Sequence, residues 1–349
     1  MSDLLQPSPT LEDVARAAGL SRSTVSRVIN GSRNFDPAIR EAVRRAVAST
    51  GYVPSIAARS LVGRRTGTIA LVVSGAGEGG EADEGAHHRE VFADPFFGRV
   101  ANGVTRFLRP RGVHPVLISA ETAEDHQHVL GYLRRGNADG AILVSTHADD
   151  PLPALFPGSG LHAVLFARPT RPLPISYVDV AHQDGARMAA EHLLGRGCRR
   201  VATICGPLDV PAGHDRLTGF REAMARHGHP FVPYAVGNFT LESGESAMER
   251  LLAEIPDVDG VFAANDLMAQ GALLTLRDRG RRVPDDVAVI GFDDSSAAVA
   301  CRPTLTTVRQ PVEEMAAEMT RLLLDRIEAP DHPISSRIFE PVLIVRQSA

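Results

Sequence analysis

Arg22, Ser23, Ser26 and Arg27 stand close together in the stretch TLEDVARAAGLSRSTVSRVING, Thr10 to Gly31. A guanidinium can donate two hydrogen bonds to guanine O6 and N7, and a good bidentate pair discriminates against a wrong base by about 1–3 kcal/mol. Arg22 and Arg27 are therefore candidates for reading base edges. The bland alternative is a solvated helix face, so the chemistry depends on what holds this helix in place. A second set of residues follows the apolar runs of the later chain: Asp94, Phe96, Phe97, Arg216, Asn265, Asp266, Asp293, Asp294 and Gln310. Carboxylates and amides pair with hydroxyls, arginine supplies a donor fork, and an aromatic ring lies against the apolar face of a sugar. This set suits a polyol, although Asp and Asn at strand ends also serve as caps and turn residues.

The elements that must position the first set are short helices. Thr10 and Asp13 read as a capping box, followed by Leu11, Val14, Ala15 and Ala18 at helical spacing. Gly19 suits a tight turn, and Ser21 can cap a second helix whose Val25, Val28 and Ile29 point inward. Asp36 and Pro37 open a third, carrying Ile39, Val43, Ala46 and Val47. Three short helices sharing one core form the helix-turn-helix arrangement, in which the second helix enters the major groove. After Thr66 the chain alternates apolar runs such as GTIALVVSG and DVAVIGFDD with helical patterns such as DRLTGFREAMARHG. That alternation predicts two parallel sheets covered on both faces, with ligands beyond the carboxyl ends of their strands.

Composition narrows the field. The 349 residues are 44% hydrophobic, enough for two or three domains with full cores. Residues 1 to 66 hold ten arginines and five carboxylates, a net of +5, so the remainder carries −10 of the chain's −5. The small end is thus the one suited to an anionic partner. Lysine is absent, which removes Walker A loops and Schiff-base chemistry. Cys198, Cys205 and Cys301 contain no CxxC pair and predict buried free thiols. The start lacks a basic segment followed by an apolar run, and no stretch gives about 18 uninterrupted apolar residues, which predicts a cytoplasmic protein with no membrane partner.

Rival classes find less support. Gly75, Gly77 and Gly80 formally spell the G-x-G-x-x-G of a dinucleotide-binding oxidoreductase, but EADEGAHHREVFADP follows, acidic and without an apolar stripe. Gly75 to Ala93 reads instead as a flexible surface insertion, and His87 and His88 within it as solvated side chains. No G-x-S-x-G or H-E-x-x-H is present, so the sequence predicts no catalytic residues, no metal site and no cofactor. A sugar-binding protein without DNA function would leave the first 65 residues unexplained.

The opening segment resembles the lactose-repressor (LacI/GalR) family of transcriptional regulators, whose members read T-x-x-D-V-A-x-x-A-G-V-S-x-x-T-V-S-R-V-L-N and then Y-x-P-N-x-x-A-R-S-L. The resemblance extends through RLTGF, ANDLMAQGAL, IGFDD, TLTTVRQP and EPVLIVRQS, covering essentially residues 10 to 349. It implies a helix-turn-helix headpiece over 1–50, a hinge over 51–65 and a periplasmic-binding-protein-like domain of two α/β subdomains over 66–349, which binds effector and dimerises. It implies DNA contacts from Ser21, Arg22, Ser23, Thr24, Ser26 and Arg27. Ser55, Ala58 and Leu61 would join them from a hinge helix that forms only on DNA, with Leu61 wedged between base pairs. Leu20 and Ser55 depart from the usual Val and Asn. Effector contacts carry over to Arg216, Asn265, Asp293 and Gln310, with Asp94 and the aromatic pair Phe96 and Phe97 beside them. Ala167 stands where many relatives have an acid, so one effector contact available to them is missing. The resulting expectation is a repressor of carbohydrate-utilisation genes, a homodimer on a pseudo-palindromic double-stranded operator, controlled by a mono- or oligosaccharide. Purines and phosphorylated partner proteins also serve this family. With no heptad tail after the last strand, a dimer is expected and not a coiled-coil tetramer.

Overall fold

A computed structural model describes residues 9–29, 35–52, 65–74, 94–145 and 149–349. The chain divides into two compact units, Met1–Thr66 and Gly67–Ala349. Ser55, Ala58 and Leu61, the glycine-rich segment from Gly75 to Ala93, and His87 and His88 lie outside the described residues.

In the first unit the described residues form α1 (Leu11–Ala18), α2 (Arg22–Ile29) and α3 (Pro37–Thr50). Thr10 and Asp13 close the capping box in both directions, and Gly19 ends α1 in the left-handed conformation at φ 64°. Asp36 caps α3, with Pro37 at its first turn. Val14, Val25 and Val43, one from each helix, meet in a core completed by Ala15 and Ala46. None of the three is long enough to be stable alone in water, so this shared core is what holds α2.

The second unit contains two subdomains of corresponding strand order. The first sheet runs β2 (His114–Ala120), β1 (Thr68–Ser74), β3 (Gly140–Ser145), β4 (Ala163–Phe166), β5 (Ser176–Val180) and β11 (Ser336–Phe339), all pairs parallel. The second runs β7 (Tyr234–Val236), β6 (Val201–Cys205), β8 (Gly260–Ala263), β9 (Ala288–Asp293), β10 (Thr306–Arg309) and β12 (Val342–Ile344), parallel except for the last pair. Helices α4 (Pro95–Leu108), α5 (Ala123–Arg134) and α11 (Val312–Glu328) belong to the first sheet. Helices α6 (His182–Gly195), α7 (Pro211–Arg226), α8 (Leu241–Glu254), α9 (Asp266–Asp278) and α10 (Ser296–Ala300) belong to the second. The chain crosses between subdomains after β5, β10 and β11. Strands such as TIALVVS and AVIGFD are buried almost throughout, as sheets covered on both faces require. This is the α/β architecture expected from the sequence. Among the described residues no helix is long and apolar enough to cross a membrane.

Candidate functional site

On α2, Arg22, Ser23 and Arg27 are exposed, while Thr24 and Ser26 are half-buried. Ser21 bonds the backbone N–H of Thr24 and shares hydroxyl bonds with Ser23 and Thr24, so its oxygen acts as the helix cap. Arg22 pairs with Glu12 of α1 at 2.9 Å, and Arg27 lies 5.3 Å from the ring centre of Phe35. Exposed ion pairs of this kind are weak and screened by salt. Phosphates or base edges can therefore recapture Arg22 at little loss.

Far along the chain, strand ends bring the second set together. Arg216, in the second turn of α7, is 4% exposed. Its Nη1 donates to the Ala264 carbonyl at 2.5 Å, its Nε donates to His182 Nδ1 at 3.2 Å, and its guanidinium lies 3.7 Å from the centre of the Phe292 ring. Its Nη2 stands 3.6 Å from Asp293 Oδ1, the oxygen that accepts from Gln310 Nε2 at 2.5 Å. Four of the predicted side chains thus converge, since Asp94, capping α4 through Phe96 N–H, also acts on Arg216. Burial pushes Asp293 up to about 8 against the pull of Arg216, with the charges of Asp266 and Asp94 adding to the rise. Asp266, holding the Ser295 N–H and the Thr307 hydroxyl, is likewise pushed by burial up to about 7. Burial and the neighbouring Arg216 lower the His182 pKa, so this imidazole is neutral and accepts at Nδ1. Its Nε2 faces Asp179 Oδ1 at 3.4 Å. Burial works against the Asp179 charge, but the bonds from His182, Val180 N–H and Arg168 N–H outweigh it and lower its pKa.

Asn265 is the predicted residue whose local role is most complete. Its Oδ1 caps α9 at Met268 N–H, and its Nδ2 donates to the Phe239 carbonyl at 2.8 Å. Phe96 packs edge-on against Phe97 and Phe166, at centroid distances of 5.2 and 5.1 Å, and both Phe96 and Phe97 also pack on the first subdomain's core.

Sequence reasoning passed over Arg99, Asp179, His182 and Phe239. Arg99 of α4 grips Glu313 with two bonds of 2.9 Å and reaches the carbonyls of Asp293 and Gln310 at 2.8 and 3.3 Å, tying the first subdomain to the strand ends of the second. Phe239 sits at φ 68°, and its ring lies against Gly206 so closely that an added Cβ would overlap it. The left-handed residues Ala167, Phe239, Asp293 and Asp294 all follow or end strands on this side of the sheets, and such backbone strain clusters at functional sites. Asp179 and His182 flank the end of an apolar run, the same signal that singled out Asp293, and so could have been found.

Residues 10–55 match the family model for bacterial regulatory proteins of the lacI family, and residues 190–349 match that for a periplasmic binding protein-like domain. The HTH-type transcriptional regulator CelR of Thermobifida fusca is 46% identical over 345 residues, 97% of this chain and 98% of that one. The ribose operon repressor of Escherichia coli K12 is 32% identical over 355 residues, covering 97% and 99%. A solved complex of the transcriptional regulator CelR with cellobiose has 44% identity and a TM-score of 0.74, covering 98% of this chain and all of the other. The Lac repressor dimer bound to operator and the anti-inducer ONPF has 24% identity and a TM-score of 0.84, over 97% and 98% of the two chains, a likeness of fold. The chain belongs to the LacI family and is a ligand-responsive, DNA-binding transcriptional regulator.

Proposed function

We propose that the chain is a cytoplasmic homodimer that represses carbohydrate-utilisation genes from a pseudo-palindromic operator and lets go when a sugar fills the cleft between its α/β subdomains. Residues 1–50 read the operator, chiefly through Arg22 and Arg27. Residues 51–65 form the hinge that orders on DNA through Ser55, Ala58 and Leu61, and 66–349 bind effector and partner. The buried set of Arg216, Asp293 and Gln310 at the strand ends carries this reading, because a water-poor array of charged and amide groups is built to pair with hydroxyls. Asp94 and Asn265 add polar partners, and Phe96, Phe97 and Phe239 supply aromatic surface. The likeness to the CelR–cellobiose complex makes a glucose disaccharide the first effector to test. No catalytic step is assigned to the chain.

The dimer is supported by corresponding edges of the two sheets. Edge strand β2 exposes Val116 and Leu117, and edge strand β7 exposes Tyr234 and Val236. Unpaired aliphatic edges of this kind call for a cover. Effector and operator must favour different subdomain arrangements, with a coupling on the usual scale of about 1–3 kcal/mol. A thermal-shift screen of sugars and nucleosides tests the effector class, since a ligand at 100 times its dissociation constant stabilises by about 2.7 kcal/mol. A hit confined to nucleosides would overturn the sugar assignment.

A further inference from the structure

Beside the buried Arg216 set lie two cavities. The larger, about 580 Å³, takes Arg168, Pro172 and Tyr177 from the first subdomain and Leu208, His214 and Asp215 from the second. The smaller, about 300 Å³, borders it along the shared walls Arg168, Pro169, Thr170, Leu173 and Pro211. Neither is lined by Asp94, Phe96, Arg216, Asn265, Asp293 or Gln310, although Ala167 lines the smaller, so both adjoin the buried set on its outer side and do not contain it. The two share a partition: Asp215 precedes Arg216 on α7, and Arg168 N–H donates to Asp179, the carboxylate that faces the His182 partner of Arg216. Across the opening, Arg168 Nη2 donates to Asp215 Oδ2 at 3.0 Å, joining one subdomain to the other.

The lining says what would fit. Sites for small ligands run from about 300 to 1,000 Å³, with mostly apolar walls and a few placed polar groups. Here prolines fix the backbone of the walls, so little ordering is needed on binding. Leu173, Tyr177 and Leu208 offer apolar surface to the faces of a pyranose ring. Arg168, Asp209, His214 and Asp215 offer partners to its hydroxyls. The arginines of the walls are already paired, Arg168 with Asp215 and Arg171 with Asp149, so an anionic ligand is disfavoured and a neutral polyol favoured.

We propose that this outer compartment holds the sugar units of an oligosaccharide that extend past the unit at Arg216, so that the regulator reads chain length as well as sugar type. The inference rests on the sugar reading above. Units lodged there would touch both subdomains and replace the Arg168–Asp215 bond with bonds of their own, which favours closure of the cleft.

The test is calorimetric titration of the full-length dimer with β-1,4-linked glucose of one to four units. The dissociation constant should fall by about tenfold between two units and three or four, equivalent to about 1.4 kcal/mol. Leu208→Trp, which fills the larger cavity from its exposed side, should abolish that gain while leaving the two-unit constant within about twofold, under 0.5 kcal/mol. His214→Ala, at an exposed side chain that cannot threaten folding, should reduce the gain in the same direction. Equal affinity for two, three and four units in the unaltered protein would overturn the inference and leave the sugar reading standing. So would a Leu208→Trp loss as large for two units as for four. If no member of the series binds or releases operator, the sugar reading fails and the compartment's assignment falls with it.

Discussion

Replacing Arg216 with leucine removes the fully buried cation around which Asp293, Asp94, Asp179 and Asp266 are arranged. The lost charge-assisted bond to Ala264 O is worth about 1.5–3 kcal/mol, and the lost contact with the Phe292 ring about 2 kcal/mol. The recovered desolvation of the guanidinium offsets part of this, so a net loss of about 2–3 kcal/mol is expected near pH 6, within the usual range for disrupting buried networks. The remaining term depends on pH. Asp293 has a folded pKa of about 8, raised above its ordinary 3.8, so the folded state holds a proton that the unfolded chain releases. The contribution of Asp293 to the stability of the unaltered protein therefore falls as pH rises from about 4 and levels off above the folded value. Without Arg216 that folded value rises further, and the variant goes on losing about 1.4 kcal/mol per pH unit past 8. Guanidinium unfolding at pH 6, 8 and 9 should show the gap between variant and parent wider by about 0.4 kcal/mol at 8 and about 1.4 kcal/mol at 9 than at 6. Operator binding should survive at pH 7, and response to effector should not. A gap that does not change with pH, together with a normal effector response, would show that Arg216 neither pairs with Asp293 nor holds ligand.

Arg22→Ala should relax base preference at one operator position by about 1–3 kcal/mol while weakening binding to random duplex less, as fluorescence anisotropy on single-substituted operators would show. Equal losses on both would remove Arg22 from the base-reading set. His182→Asn keeps an acceptor near the Nδ1 position that Arg216 uses, whereas His182→Gln keeps reach toward Asp179 but loses that acceptor. The glutamine variant should bind effector more weakly than the asparagine variant, by roughly the 1–3 kcal/mol of an unsatisfied buried donor. The reverse order in calorimetry would deny His182 its role in positioning Arg216. Sugar hydroxyls donating to Asp293 favour its charged form, so below pH 8 binding should release a proton, and affinity should tighten as pH rises toward about 8 and level off above it. Titration in buffers of different ionisation heat checks this, and proton uptake on binding would contradict it.

Much of this architecture can be read from the residues. Thr10, Asp13, Asp36 and Pro37 announce helix starts by chemistry that acts within one turn, and runs such as AVIGFD can only be strands covered on both faces. The convergence of Arg216, Asp293 and Gln310 is legible because open α/β sheets bind ligands at strand ends. What stays hidden is pairing over long sequence distance. Arg99 meets the Asp293 carbonyl across 194 positions, and nothing near Arg99 in the chain signals it. Phe239 is concealed for a different reason: its left-handed backbone is imposed by the surrounding fold, whereas an isolated phenylalanine avoids that region. Asn265 shows the converse, a residue expected to meet ligand whose oxygen caps α9 and whose nitrogen fixes Phe239, so any effect on effector could pass through both.

The central claim is that a basic headpiece grips DNA and that a small polyol in the cleft of the other unit loosens the grip. Operator sequences selected from a random duplex pool, then titrated with the full-length protein across a range of salt with and without cellobiose, test it most directly. One palindrome-like sequence should be selected, with a log–log salt slope of several phosphates' worth and an affinity reduced by cellobiose or a longer β-glucan. Failure to select any sequence, or a selected operator whose affinity no sugar alters, would contradict it.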